Sequence, residues 1–156
     1  MDRRSLKSFA AALLVTAVLL PSRLTHATLG EPADSVAKDR QALSAARRAA
    51  TSRNGYTVHE MVSAGSTVRE YVAPSGIVFA IAWNGISQPD LTPLLGSYKE
   101  EYLKALGRSH RRQGRRFSRV EGSRVVVEKW GHMRNYQGRA YDPALIPSGV
   151  TIDEIR

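Results

Sequence analysis

Seven apolar residues in succession, Ile-Val-Phe-Ala-Ile-Ala-Trp at positions 77–83, stand between Gly76 and Gly85. Pro74-Ser75-Gly76 precedes them as a turn. The run is too short for an ordinary core helix, and it is rich in β-branched and aromatic side chains. It reads as a strand covered on both faces, central in a sheet.

The segments on either side fit such a sheet. Residues 56–63 alternate, with Tyr56, Val58, Glu60 and Val62 on one side and Thr57, His59 and Met61 on the other. In residues 67–73, Val68, Glu70 and Val72 oppose Thr67, Arg69, Tyr71 and Ala73. Short turns between these segments imply an antiparallel meander. Upstream, Asp34 or Ser35 caps a helix that reaches about Ala50, with a thin stripe of Val36, Leu43 and alanines. Downstream, Asp90 or Thr92 caps a second helix ending at Gly107. Leu91, Leu94, Leu95, Tyr98, Tyr102 and Leu106 recur at its helical spacing. Gly96 inside it costs roughly 1 kcal/mol relative to Ala. Residues 117–120 and 124–130 read as strands around Glu121-Gly122-Ser123, and a last strand runs from His132 to about Arg139. The expected fold is α+β: an antiparallel β-meander of about five or six strands with two helices on it.

The start of the chain has a different character. Arg3, Arg4 and Lys7 precede a 12-residue run, positions 9–20, whose only polar member is Thr16. Pro21 and the small-residue site Thr25-His26-Ala27 follow. That order describes a secretory signal peptide over residues 1–27, with one α+β domain over 28–156. The run falls short of the ~20 residues that span a bilayer, so no transmembrane span remains after cleavage. Ser5-Leu6-Lys7 does not continue Arg3-Arg4 as a twin-arginine signal. The expected location is the periplasm or the cell exterior. The chain has no cysteine, so burial alone must hold an exported fold, and thiolate metal sites are excluded.

Charge supplies the next clue. Lysine and arginine total 23 against 14 acids, a formal net charge of +9. Residues 108–119 hold six arginines and His110 with no acid. Arg111, Arg112, Arg115 and Arg116 are therefore candidate ligand-binding residues, since guanidinium forks carboxylate or phosphate. His132, Arg134, Tyr136 and Arg139, if they share a direction on the last strand, add further donors. Outside the cytoplasm such a surface suits an anionic glycan, a lipid headgroup or an acidic protein. Phe117 is the only ring in the basic run, which argues against a single-stranded nucleic-acid platform.

Catalytic and metal motifs fail on inspection. His59-Glu60 opens like a zinc-protease motif, but Met61-Val62-Ser63 follows without the second His. Strand alternation also sends the two residues to opposite faces. Gly85-Ile86-Ser87-Gln88-Pro89 lacks the last glycine of a nucleophile elbow. No glycine-rich phosphate loop or cofactor motif occurs. The leading expectation is a non-catalytic binding or envelope-associated protein. One alternative is a small hydrolase or transferase using His59 or His132 beside Glu60, Glu70, Asp90 or Glu128. Another is a structural subunit of a surface assembly, its sheet edge completed by a partner strand.

Several stretches carry a family resemblance: Ala27-Thr28-Leu29-Gly30, Tyr56-Thr57-Val58-His59-Glu60, and Val68-Arg69-Glu70-Tyr71-Val72 with Pro74-Ser75-Gly76. Further on are Pro89-Asp90-Leu91, Leu95-Gly96-Ser97-Tyr98, Gly131-His132-Met133-Arg134, Gly138-Arg139-Ala140-Tyr141 and Asp153-Glu154-Ile155-Arg156. On these residues the chain resembles a family of bacterial exported proteins labelled domain of unknown function 2844. The resemblance spans most of the chain after the leader. It implies no activity, cofactor or site residue.

Overall fold

The computed structural model describes residues 29–32, 46–63, 65–109 and 116–156. Their seven strands form one sheet: β1 Ala46–Arg53, β2 Tyr56–Val62, β3 Ser66–Val72, β4 Val78–Gly85, β5 Phe117–Glu121, β6 Val126–His132 and β7 Asn135–Tyr141. Every neighbouring pair is antiparallel, in the order β1-β2-β3-β4-β7-β6-β5. Residues 91–108 between β4 and β5 are helical: α1 Leu91–Leu95, a 3-10 turn Gly96–Tyr98, and α2 Lys99–Arg108. Asp90 caps the start by accepting from the Thr92 N–H at 2.8 Å. Gly96, at φ 42°, marks the change of pitch between the two helices.

The apolar run takes the middle of the sheet. β4 is fourth of seven, and its first six residues are buried. Two clusters explain why both of its faces are covered. On the helix face, Met61, Val68, Ile81, Trp83, Val127 and Ala140 meet Leu91, Leu94, Leu95, Tyr98 and Tyr102. On the opposite face, Tyr56, Tyr71, Phe79, Ala80, Ala82, Val126 and Tyr141 meet Ile155, with Leu145, Ile146 and Val150 packed around them. That second cover is made by a segment with two 3-10 turns, Pro143–Leu145 and Ile152–Glu154, and the face it covers is called the turn face below. Each fully buried Ile or Phe on these faces contributes about 1.5–3 kcal/mol. A bulge adjusts the fit: Tyr71 pairs with Ala80 and Val72 with Val78, which leaves Phe79 as the extra residue. Phe79 joins the turn face, where Tyr56 and Tyr71 meet its ring edge-on, with centroids 6.0 and 6.1 Å away.

Two expectations need correction. The first helix was expected to reach about Ala50, but residues 46–50 belong to β1; residues 33–45, which hold its body, lie outside the described residues. An alanine stripe offers little to hold a helix on a sheet. The same backbone finds a ladder on β2, from Ala46 opposite Val62 to Arg53 opposite Tyr56. The Asn54-Gly55 turn that joins them, with Gly55 at φ 87°, is a strong hairpin signal. Likewise, the last strand, expected from His132 to about Arg139, starts later, and the strand before it, expected over 124–130, reaches His132. β6 ends at His132, Met133 and Arg134 make the turn, and β7 starts at Asn135. The described part thus has seven strands and one helical segment, against the expected five or six strands and two helices.

One buried hydroxyl ties the helix to the sheet. Tyr98 Oη donates to Asp142 Oδ2 at 2.7 Å, and Asp142 Oδ1 accepts from the Ala144 N–H. Burial, then the bond to the Asp142 carboxylate, pushes the Tyr98 phenol up from 10.0 to about 12. The folded state therefore holds this proton more tightly than the unfolded chain. Its contribution to stability is complete below pH 10 and falls as pH rises from 10 towards 12. Tyr56, Tyr71 and Tyr141 are raised in the same direction, chiefly by burial. Urea titrations across this window should show a steep alkaline decline for the native protein and a shallower one for Tyr98→Phe. Equal slopes would rule the Tyr98 proton out as a contributor.

Candidate functional site

The turn segment leaves part of the turn face open, and three hollows line up there. Strand alternation decides which side chains enter them. Val58 stands opposite Tyr71, Glu60 opposite Arg69 and Arg53 opposite Tyr56, so all six share this face. The first hollow, about 400 Å³, is lined by Arg53 from β1, Tyr56 and Glu60 from β2, Arg69 and Tyr71 from β3, and Glu154 and Arg156 from the turn segment. The middle hollow, about 370 Å³, takes Arg69, Asn84, Trp130, Gln137 and Arg156 among its walls. The third, about 580 Å³, is lined by Phe117, Glu128, Trp130, Arg139, Asp153, Ile155 and Arg156.

Hydrogen bonds fix the floor. Arg69 donates from Nε to Glu60 Oε2 at 2.9 Å and from Nη1 to Asn84 Oδ1 at 2.8 Å. Glu128 accepts from Arg119 Nη1 at 3.1 Å and from Arg139 Nε at 2.5 Å. Arg139 Nη1 also donates to the Ile152 carbonyl at 2.6 Å, which ties the turn segment down. The Arg139 guanidinium lies 5.6 Å from the centre of the Trp130 ring, and Trp130 Nε1 donates to Gln137 Oε1 at 3.0 Å. Tyr71 Oη donates to the Arg156 carbonyl at 2.7 Å and accepts from the Arg156 N–H at 3.0 Å. Tyr56 Oη donates to Glu154 Oε2 at 3.1 Å.

Burial raises Tyr71, and burial with the bond to Glu154 raises Tyr56, so both phenols keep their protons. The Thr151 N–H, then the Tyr56 hydroxyl, hold Glu154 below the usual carboxylate range. Arg69, Arg119 and Arg139 are paired with acids. Arg53 and Arg156 are exposed and make no ion pair among the described residues. Two such guanidiniums beside phenol and amide groups in one concave surface can receive a carboxylate or phosphate.

The residues singled out in the sequence are dispersed. Arg111, Arg112 and Arg115 lie outside the described residues, and Arg116 is exposed just before β5. His132 and Arg134 sit exposed at the tip of the β6–β7 hairpin, with His132 Nδ1 3.2 Å from the Met133 carbonyl and Arg134 at φ 65°. Tyr136 and Arg139 are three residues apart on β7 and so point to opposite faces. The common direction expected for His132, Arg134, Tyr136 and Arg139 is therefore absent, because a turn interrupts it. Arg139 alone of the described candidates reaches the hollows. Arg53, Arg69, Trp130 and Arg156 were missed as site residues, and Glu128 entered only as a possible partner for a histidine. Alternation puts Arg69 beside Tyr71, but only the pairing of strands brings Glu60 and Arg53 to them.

His59 pairs in register with Glu70, on the face away from Glu60. Glu70 is 1% exposed, too deep to touch a substrate from solvent. His132 pairs in register with Asn135, which is no acid. Among the described residues no group of three His, Asp or Glu could hold a metal ion, and no helix is long and apolar enough to cross a membrane.

Fold and site together define an α+β protein: an antiparallel sheet with a helix on one face and an arginine-lined trough on the other. The chain belongs to the family described as "Protein of unknown function (DUF2844)", whose family model matches residues 25–155. Searches of curated proteins and of solved structures return no match.

Proposed function

We propose that the protein is exported and acts as a non-catalytic binding protein for an anionic ligand of the bacterial envelope. The observation that carries this reading is the pair of exposed guanidiniums, Arg53 and Arg156, which make no ion pair among the described residues and share one hollow with Tyr71. A formal net charge of +9 adds long-range attraction for an acidic partner. The leader features of residues 1–27 support export, and the family match begins at residue 25, leaving most of that stretch outside it.

The test uses the chain lacking residues 1–27. Its retention on an immobilised acidic polysaccharide, on vesicles rich in anionic lipid and on an acidic protein should be strong at about 0.05 M salt and weak at about 0.5 M. Arg53→Ala with Arg156→Ala should weaken retention at least tenfold, since charge-assisted bonds contribute about 1.5–3 kcal/mol each. Absence of retention on all three surfaces at low salt would refute the reading.

A further inference from the structure

The three hollows adjoin one another through shared wall residues. The first and middle share Arg69 and Arg156, and the middle and third share Trp130 and Arg156. Their walls extend from Arg53 on one edge strand to Phe117 on the other. Seven strands lie across that span, roughly 29 Å at the usual inter-strand spacing. A single phosphate or a compact headgroup fills one hollow and leaves two unused. We infer that the trough takes a linear acidic polysaccharide, its chain laid across the strands with carboxylates on spaced sugar rings. This rests on the binding reading above.

The pattern of charge favours that occupant over other polyanions. Arg53 and Arg156 are the trough's cations without an ion pair among the described residues, and Glu60, Glu154, Glu128 and Asp153 line it beside the paired Arg69 and Arg139. A strand with a charge at every phosphate would set several of them against these acids. A carboxylate on spaced rings can meet an arginine and place hydroxyls against the intervening acids. Guanidinium and carboxylate match in a bidentate fork. The amides of Asn84 and Gln137 lie at mid-trough, where hydroxyls need both donors and acceptors. Phe117, 51% exposed and opposite Trp130 in the β5–β6 register, gives the far end an apolar wall for the C–H face of a sugar ring.

Titration calorimetry of the chain lacking residues 1–27 with galacturonate and mannuronate oligomers, from disaccharide upward, tests this. Affinity should climb with length for at least one ladder, about tenfold or more in all, equivalent to one or two additional contacts. Arg156→Ala should weaken short and long oligomers alike. Phe117→Ala should weaken only the long ones, several-fold, with an unchanged melting temperature. Length-independent binding, or tighter binding of a poly-glutamate peptide or single-stranded DNA of equal length, would overturn the inference. If anionic vesicles are then still retained through Arg53 and Arg156, the broader binding reading stands and only the polysaccharide falls. If nothing anionic binds at low salt, both fall.

Discussion

Gly138→Ala should destabilise the protein by about 3 kcal/mol, at the upper end of the usual cost of overpacking a filled core. Gly138 stands on β7 opposite Trp83 of β4 and Lys129 of β6, in the middle of the sheet. A Cβ added there would fall on Trp83 Cζ2, 2.6 Å from Trp83 Cε2 and 2.7 Å from the Glu128 carbonyl oxygen. The carbonyl belongs to a paired strand and cannot retreat without breaking the ladder. Trp83 is 2% exposed and packed within the helix-face cluster, so displacing its indole disturbs its neighbours there. Glycine is thus required at 138 by contact rather than by backbone angle. Gly107 provides the contrast. It lies in α2 with none of the described residues within 4 Å of an added Cβ, and Gly107→Ala should stabilise by about 0.5–1 kcal/mol. Urea unfolding of the two variants reads both signs. A loss below about 1 kcal/mol for Gly138→Ala would mean that the indole moves freely, contrary to this packing.

The same contrast explains what could be read from the chain alone. The uninterrupted apolar run placed β4, because a strand covered on both faces has no polar positions to offer. The Leu91-to-Leu106 spacing placed the helix for a similar reason. β1 was hidden because its alanines and arginines fit a helical wheel as well as a ladder, and the Asn54-Gly55 turn was the stronger clue. The site was harder. Its walls come from both edge strands, from the strands between them and from the turn segment, and no local window contains them. The basic run at 108–119 attracts attention since its charge is contiguous. Besides Arg139, the trough draws its arginines from positions 53, 69 and 156, each unremarkable in its own neighbourhood.

Glu128→Ala should cost about 3 kcal/mol, because it strands a half-enclosed cation. The Glu128 side chain is 5% exposed and Arg139 17%, while Arg119 at 47% is partly screened by water. Without the carboxylate, Arg119 can turn to solvent. Arg139 cannot: for a full charge it keeps the carbonyls of Ile152 and Ile155, at 2.6 and 3.4 Å, and the rings of Trp130 and Tyr141, but no carboxylate. Glu128→Gln preserves the shape but aims an amide donor at a guanidinium, so it should recover only part of the loss. Glu128→Leu with Arg139→Met removes both charges and should be closer to the native protein than either single change predicts, a coupling of 0.5–3 kcal/mol. Local exchange gives a second reading. Arg139 anchors the turn that roofs Tyr56, Tyr71 and Phe79, so Glu128→Ala should accelerate amide exchange at Glu154 and Ile155 well before it does so in β2 and β3. Additive single-site losses, or uniform acceleration through the sheet, would show that the Glu128–Arg139 pair does not hold the turn segment over the trough.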